Sequence, residues 1–307
     1  MAQKYNFFLN SPNNFNVSLQ NPTLMAKIYT QAPLPFMGQK RRWNKDFKAA
    51  LLKEFGDCHT FVDLFGGSGL LSHFTHTVRP DATVIYNDYD NYSQRLAAIP
   101  VTNTLLAELR DILKGYPDLK RIEEPVRSKV ISKIAEYDQR GYVDYVTLSA
   151  SIVFSGRYVT SLAEIQKDTL YNTLRQSDYS ADGYLDGLTV VHQDYRRLFN
   201  HYRQQGGVCF LIDPPYLSTQ TTTYTGYWKL RDYLDVLHTL HDTNYFYFTS
   251  EKSSILELCE WLDDEYQTGN PFKGATRIDY ATNLNYSAGF IDIMLYKHQP
   301  TERRNAA

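Results

Sequence analysis

The feature that most restricts the fold is an apolar run, Val208–Ile212, that ends at Asp213-Pro214-Pro215. A continuous apolar run of this kind is typical of a strand buried on both faces, as in a parallel sheet covered by helices. Proline lacks the backbone N–H that a central strand needs, so the strand must end here. The run therefore predicts a central strand whose carboxyl end presents the side chain of Asp213.

Strand-like and helix-like segments alternate along the rest of the chain. Further strands are predicted at Thr60–Phe65, Thr83–Tyr86, Leu188–Val191, Tyr245–Phe248 and Gly289–Tyr296. The spacing of Leu230, Leu234 and Leu237 places them on one face of a predicted helix. Ser254 with Glu257 forms a capping-box pattern at the start of another predicted helix. This alternation predicts an α/β domain with a largely parallel sheet.

The alternation stops between residues 101 and 187, where the patterns are mostly helical. Leu105, Leu109 and Ile112 mark one helix, and Ser161 with Glu164 starts another. The stretch is too long for a crossover connection. We therefore predict a main α/β domain of residues 31–100 and 188–298, an inserted lobe of residues 101–187, an N-terminal arm of residues 1–30 and a flexible tail of residues 299–307.

Composition excludes several classes of protein. The chain has 307 residues, 43% of them hydrophobic, which is enough for one large core. No apolar run approaches the roughly 18 residues that cross a membrane. Three scattered cysteines give neither a disulfide framework nor a close-spaced zinc site, so a reducing compartment such as the cytosol is expected. The net charge of −2 weakly opposes nucleic-acid binding without excluding it, because local patches decide affinity.

A glycine-rich loop, Asp63-Leu64-Phe65-Gly66-Gly67-Ser68-Gly69, follows the first predicted strand. Glycine lets the backbone turn tightly and approach a ligand closely. Open α/β sheets bind nucleotides in such loops at the carboxyl ends of their strands. A turn without a ligand is the alternative. The loop departs from the dinucleotide pattern, because no glycine follows within residues 72–75. That departure opposes a nicotinamide-dependent oxidoreductase.

Asn87 and Asp88 end the next predicted strand, about 20 residues after the loop. An acidic residue at this place can bind the two hydroxyls of a ribose. A solvated turn acid is the alternative for Asp88 in isolation. The glycine loop together with Asp88 favours the ribose role.

These motifs resemble those of a known enzyme family. Asp213-Pro214-Pro215-Tyr216 after a buried strand, with Asp63–Gly69 upstream, is similar to the amino-group methyltransferases that use S-adenosyl-L-methionine. Residues 35–40, Pro-Phe-Met-Gly-Gln-Lys, resemble the N-terminal motif of DNA adenine-N6 methyltransferases, with Gln39 where a second glycine is usual. The order of motifs is that of the α group, the D12 class. The resemblance covers residues 33–297, and its closing part includes Asn283–Tyr286.

The resemblance implies a Rossmann-like sheet with an inserted, mostly helical target-recognition lobe. It also implies transfer of a methyl group to the exocyclic amine of a flipped adenine. The Asp213 carboxylate and the Pro214 carbonyl would accept the hydrogens of that amine, Pro215 completes the motif and Tyr216 would stack on the base. No metal is implied. The residues implied to bind S-adenosyl-L-methionine are Phe36, Lys40, Asp63, Phe65, Gly66, Gly67, Gly69, Asn87, Asp88, Asp194 and Tyr195.

Double-stranded DNA is the partner that the resemblance implies. The candidate DNA-binding residues are Arg41, Arg42, Arg157, Thr223, Tyr224 and Tyr227, of which Arg157 would read base edges. The same chemistry on cytosine N4, RNA or a protein amide stays open, as does a catalytically silent DNA-binding relative. The expected location is the cytoplasm of a bacterial or phage-infected cell. A cognate restriction endonuclease is a candidate partner.

Overall fold

The computed structural model of the protein describes residues 27–153, 158–215, 229–283 and 289–299. Its strands are β1 Thr60–Asp63, β2 Thr83–Asn87, β3 Thr189–Val191, β4 Val208–Ile212, β5 Asn244–Ser250, β6 Thr276–Asn283 and β7 Gly289–Lys297. They form one sheet of order β3-β2-β1-β4-β5-β7-β6. The first five strands in that order pair in parallel, and β7 runs antiparallel to both β5 and β6. The predicted α/β fold with a mostly parallel sheet is confirmed.

The described helices lie before and between the strands. They are α1 Asn44–Glu54, α2 Leu70–Val78, α3 Tyr92–Ala97, α4 Ile99–Ile112, α5 Val126–Arg140, α6 Tyr145–Ile152, α7 Leu162–Lys167, α8 Tyr195–Tyr202, α9 Leu230–Leu237 and α10 Ile255–Tyr266, with a short 3₁₀ turn at Arg41–Trp43. None of the described helices is long and apolar enough to span a bilayer.

Strand β4 shows how the sequence builds three layers. Its side chains alternate between the two faces of the sheet, and every one of them is buried. Cys209 and Leu211 join the core on the side of α1 and α2, whereas Phe210 and Ile212 join the core on the side of α8, α9 and α10. A strand covered on both faces must be apolar throughout, which explains the run that ends at Asp213.

The helical segment between β2 and β3 packs on one of these faces. Leu105, Leu109, Ile134 and Leu148 belong to the same buried cluster as Phe61 of β1. Helices α4, α5 and α6 thus share a core with the sheet. The division into a main α/β domain and an inserted lobe stays a prediction.

One strand of the structure is not predicted from the sequence, and one predicted helix cap is wrong. Strand β6 is not predicted, because Thr276–Asn283 mixes charged and polar residues with only two large apolar ones, Ile278 and Tyr280, on its packed side. Ser254 makes no side-chain capping hydrogen bond to the described residues of α10, so the capping-box prediction there is wrong. At α7, by contrast, the Ser161 hydroxyl accepts a hydrogen bond from the Glu164 backbone N–H at 3.3 Å.

Candidate active site

Strands β1 and β4 are neighbours in the sheet although they are distant in sequence. Asp63, the last residue of β1, pairs with Leu211 of β4. The chain leaves β1 toward β2 and β3 on one side, and it leaves β4 toward β5 on the other. This reversal opens a crevice at the carboxyl ends of the two strands, where α/β proteins bind ligands. The glycine loop and Asp213 therefore meet at the crevice.

A cavity of about 270 Å³ occupies the crevice. Of the predicted site residues, the following line it: Phe36, Phe65, Gly66, Gly67, Asn87, Asp194, Tyr195, Asp213 and Pro215. The volume is near the lower end of the roughly 300–1,000 Å³ typical of small-molecule sites. Residues at or just beyond the carboxyl ends of four strands, β1 to β4, thus share one cavity with the N-terminal motif.

The glycine loop has no space for side chains at its turning points. A Cβ atom on Gly66 would lie 2.3 Å from the Tyr86 ring and 2.8 Å from the Asn87 carbonyl oxygen. Gly67 and Gly69 have φ angles of +48° and +72°, which favour glycine. The Tyr86 hydroxyl holds the turn by donating to the Gly67 carbonyl oxygen at 2.8 Å. The loop can therefore bring backbone close to a ligand.

Asp63 lies beneath this loop rather than at the cavity wall. Its carboxylate is fully buried and accepts a hydrogen bond from the Ser72 hydroxyl at 2.7 Å. Burial raises the pKa of Asp63 to about 7, the Ser72 hydrogen bond opposes the rise, and the charge of Asp213 adds to it. Asp63 is thus an acid in an apolar setting, electrostatically linked to Asp213.

Asn87 ties together three of the strand ends. Its side-chain amide donates to the carbonyl oxygens of Leu64 and Gln193 at 3.0 and 2.9 Å, and its Oδ1 accepts from the Gln193 N–H at 2.9 Å. The residue is buried at the back of the cavity. Asn87 therefore fixes the relative positions of the segments that follow β1, β2 and β3.

The Asp88 carboxylate is engaged by the start of α3. It accepts hydrogen bonds from the backbone N–H groups of Tyr92 and Ser93 at 2.6 and 2.9 Å, and its Oδ1 lies 3.0 Å from the Tyr86 hydroxyl. Asp90, two residues on, lines the cavity and is exposed. The structure thus places Asp88 as a helix cap at this turn and Asp90 at the cavity wall.

Asp194 and Tyr195 begin α8 at the far side of the cavity. The Asp194 side chain accepts from the Arg196 N–H at 2.8 Å and caps the helix. Tyr195 packs against Phe65 with ring centroids 4.9 Å apart. The Arg196 guanidinium also pairs with Asp232 of α9 at 2.9 Å. The wall here combines aromatic faces with paired charges.

Lys40 and Asp213 form an ion pair at the carboxyl end of β4. Lys40 Nζ lies 2.5 Å from Asp213 Oδ2, and the two side chains are only 10% and 20% exposed. The ammonium also donates to the Gly38 carbonyl oxygen at 2.8 Å. Burial raises the pKa of Asp213, the Lys40 charge opposes the rise, and Asp292 adds to it. Lys40, predicted to bind the cofactor, is thus placed directly on the predicted catalytic carboxylate.

The predicted DNA-binding residues divide into two groups. Arg41 and Arg42 are exposed beside Lys40, and Arg42 donates to the Thr282 hydroxyl of β6 at 2.7 Å. Thr282 in turn donates to Asp292 at 2.8 Å, so these contacts connect the residues just after the N-terminal motif to β6 and β7. The remaining predicted residues, Arg157, Thr223, Tyr224 and Tyr227, lie outside the described residues, as does Tyr216 of the predicted catalytic motif.

Several cavity residues escape prediction from the sequence. They are Met37, Gly38, Leu64, Tyr89, Asp90, Gln193, Arg196 and Asp232. All except Asp232 are next to or within two positions of predicted site residues, so sequence proximity is the signal that could have found them. Asp232 lies on α9, 19 residues beyond Asp213, and has no such signal.

One set of metal-ligating side chains lies together in the described part of the chain, at the opposite end of the sheet. His298 Nε2 and Asp57 Oδ1 are 2.7 Å apart, and the buried Cys58 is beside them. The pair joins the start of β1 to the end of β7 and does not reach the cavity.

Comparison with known proteins identifies the family. The family model described as D12 class N6 adenine-specific DNA methyltransferase matches residues 36–243. A protein of Haemophilus influenzae (strain KW20 / Rd) named "Putative methyltransferase" is 37% identical over 280 residues, which cover 88% of this chain and 93% of that protein. The family match runs from the N-terminal motif through the glycine loop and β4. The chain therefore belongs to the D12 class N6 adenine-specific DNA methyltransferase family.

Proposed function

We propose that this protein transfers a methyl group from S-adenosyl-L-methionine to the N6 amine of a flipped adenine, in a site-specific manner, in double-stranded DNA. The observation that carries the proposal is the position of Asp213. Its carboxylate lies at the end of β4, lines the cavity formed with the glycine loop, and is paired with Lys40. The family match supports DNA as the substrate.

The reaction requires a hydrogen-bond acceptor, because adenine N6 is a poor nucleophile. The lone pair of adenine N6 is delocalised into the ring, and an acceptor that draws the amine hydrogens out of the ring plane concentrates it. An ionised carboxylate is the stronger acceptor. The Lys40 ammonium favours ionised Asp213 against the effect of burial. Ionised Asp213 can also take the proton that nitrogen loses, and the buried Pro214 contributes its carbonyl group as second acceptor.

The cavity suits a cationic nucleoside ligand. S-adenosyl-L-methionine supplies the methyl group as an electrophile on a sulfonium centre and carries a purine, a ribose and an amino acid. Phe65 and Tyr195 offer flat apolar walls for a purine, and the glycine loop offers close backbone. Asp90 and Asp194 place negative charge at the same cavity. We assign the purine to the Tyr195 side and the ribose to the turn after β2, where Asp90 lines the wall and Asp88 supports the turn.

The proposal assigns DNA to the rim that carries Arg41. Arg41 is exposed next to the Lys40–Asp213 pair, so a phosphate bound by its guanidinium would lie close to the acceptor. Removal of the base from the duplex is required, because Asp213 is mostly buried. Arg157, Thr223, Tyr224 and Tyr227 remain predicted DNA contacts.

The test is methyl transfer from labelled S-adenosyl-L-methionine to unmethylated duplex DNA, followed by nucleoside analysis. We expect N6-methyladenine with the wild-type chain and a loss of at least about 100-fold in Asp213→Asn, the scale of losing one preorganised polar contact. Binding of S-adenosylhomocysteine should persist in that variant. Asp81→Asn, an exposed acid at the amino end of β2, is the matched control and should retain activity.

Each result decides between defined alternatives. Label on cytosine, on RNA or on a protein amide in parallel reactions would replace the substrate and keep the role of Asp213. Full activity of Asp213→Asn would refute the assigned acceptor. Bound S-adenosylhomocysteine without transfer to any of the four substrates would identify a silent relative.

A further inference from the structure

Arg95 of α3 is a buried arginine that lies outside the cavity. Its side chain is 10% exposed, and that of its partner Asp144 is 1% exposed. Arg95 Nε lies 3.1 Å from both carboxylate oxygens of Asp144. A buried ion pair is costly in desolvation unless its remaining donors are also satisfied. Here Nη2 adds hydrogen bonds to two different parts of the chain.

One part is the N-terminal motif. Arg95 Nη2 donates to the carbonyl oxygen of Pro35 at 2.8 Å. Phe36, the next residue, lines the cavity and packs edge-on against Tyr92 of α3 with ring centroids 5.6 Å apart. The Tyr92 hydroxyl accepts from the Leu34 N–H at 3.0 Å and lies 3.2 Å from the Leu34 carbonyl oxygen. Helix α3 therefore holds residues 34–36 by three side-chain contacts.

The amino end of α3 is joined to the glycine loop in the same way. Asp88 caps the helix through the N–H groups of Tyr92 and Ser93. The Tyr86 hydroxyl lies within hydrogen-bonding distance of both Asp88 Oδ1 and the Gly67 carbonyl oxygen. A displacement of the loop on ligand binding would thus act on α3.

The other part that Arg95 contacts is helix α6, in the predicted target-recognition lobe. Arg95 Nη2 lies 3.1 Å from the Thr147 hydroxyl, and Asp144 caps α6 by accepting from the Thr147 N–H at 3.1 Å. Two residues further, the Ser149 carbonyl oxygen accepts from the N–H of Val153 at 2.8 Å, and its hydroxyl accepts from the N–H of Val159 at 3.2 Å. Helix α6 therefore anchors the chain on both sides of residues 154–157.

We propose that Arg95 is a positioning residue that couples the cofactor site to helix α6, so that cofactor binding and target binding strengthen each other. The inference rests on the proposed function and adds a named link between its two sites. The planar guanidinium can contact Asp144, Thr147 and Pro35 together, which a lysine ammonium cannot do in the same geometry. Coupling between two sites is reciprocal and is measured as the factor by which one ligand changes the affinity for the other.

The experiment compares the wild-type chain with Arg95→Lys and a matched control, Arg79→Lys. Arg79 is 12% exposed in its side chain, pairs with Asp81, and donates to the carbonyl oxygens of Phe55 and Cys58 at 2.9 and 3.0 Å. It thus resembles Arg95 in burial and in contacts but lies at the opposite end of the sheet. Lysine keeps the charge in both variants.

Two readouts are taken on the full chain. The first is the affinity for a duplex containing the mapped methylation site, by fluorescence anisotropy with and without saturating S-adenosylhomocysteine. We expect an increase of about 5-fold or more in the wild-type chain, the low end of typical couplings. The second needs no DNA: hydrogen exchange of the α6 amides should slow when S-adenosylhomocysteine binds.

Arg95→Lys should reduce the affinity ratio to about 1 and abolish the slowing in α6 while S-adenosylhomocysteine still binds. Arg79→Lys should keep both effects. Equal loss in the two variants, or a retained ratio in Arg95→Lys, would overturn the proposal and leave Arg95 a purely structural residue. A wild-type chain that methylates DNA but shows neither effect would overturn the coupling alone. A chain that binds no S-adenosylhomocysteine would overturn the proposed function and this inference with it.

Discussion

The buried carboxyl of Asp63 should make the stability of this protein depend on pH in an unusual direction. Its pKa is raised from 3.8 to about 7 in the folded state, mainly by burial. A folded state that holds its proton more tightly than the unfolded chain is favoured at low pH. This stabilising effect is complete below the unfolded value of 3.8 and is lost as the pH rises through about 7.

The size of the effect follows from the difference between the unfolded pKa of 3.8 and the folded pKa of about 7. This difference is about three pH units, each worth about 1.4 kcal/mol, so ionising Asp63 in the folded state costs about 4 kcal/mol. At about 2.1 cal/mol/K per residue, a chain of 307 residues has an unfolding entropy near 0.6 kcal/mol/K. The corresponding change in Tm is about 6 °C.

The assay compares thermal unfolding of the wild-type chain and Asp63→Asn across the pH range 4 to 8. Asparagine keeps the shape and can accept the Ser72 hydrogen bond but cannot ionise. We expect the two Tm values to be closest at pH 4, with Asp63→Asn gaining about 6 °C relative to the wild-type chain by pH 8. Asp81→Asn should show no such gain between pH 4 and pH 8, because Arg79 lowers the pKa of Asp81 and its titration then falls below this range. A difference between Asp63→Asn and the wild-type chain that does not change with pH would refute the reasoning.

Two further predictions concern the cavity. Lys40→Met removes the charge that opposes the effect of burial on Asp213, so the pKa of Asp213 should rise further and the acid limb of the kcat/KM profile should move to higher pH; an unmoved limb would contradict the role of the ion pair. Gly66→Ala should weaken S-adenosylhomocysteine binding by at least 10-fold (about 1.4 kcal/mol or more), since its Cβ would meet Tyr86 at 2.3 Å. Gly56→Ala, with open space around the added Cβ, is the control for calorimetric titration, and equal affinities in the two variants would argue against a steric role of the loop.

The sequence predicts the central architecture well because the relevant physics is local. Val208–Ile212 is apolar at every position since both faces of β4 are covered, and the two prolines end the strand at the same place in the structure. Strand β6 is not predicted, because as the edge strand of the sheet it needs few apolar residues. Pattern alone cannot distinguish such a strand from a polar loop.

The candidate site shows the limit of reading motifs along a chain. A motif identifies which turn reaches the crevice, but the direction of each side chain depends on contacts with distant residues. Asp88 follows β2, as expected, but its carboxylate accepts hydrogen bonds from the backbone N–H groups of Tyr92 and Ser93. Lys40 meets Asp213 across 173 positions of sequence, and no local pattern encodes that distance.

The pairing of β1 with β4 can form only late in synthesis of the chain. Thr60 pairs with Val208, so the central strand pair cannot form until the ribosome has added 148 residues after Thr60. At a synthesis rate of roughly 5–20 residues per second, β1 remains without β4 for about 7 to 30 s. During that time its apolar edge is open to other chains, and a protein truncated before residue 208 would keep it so. The pairing that brings Asp213 beside the glycine loop therefore also covers an edge of β1 that the nascent chain exposes until then.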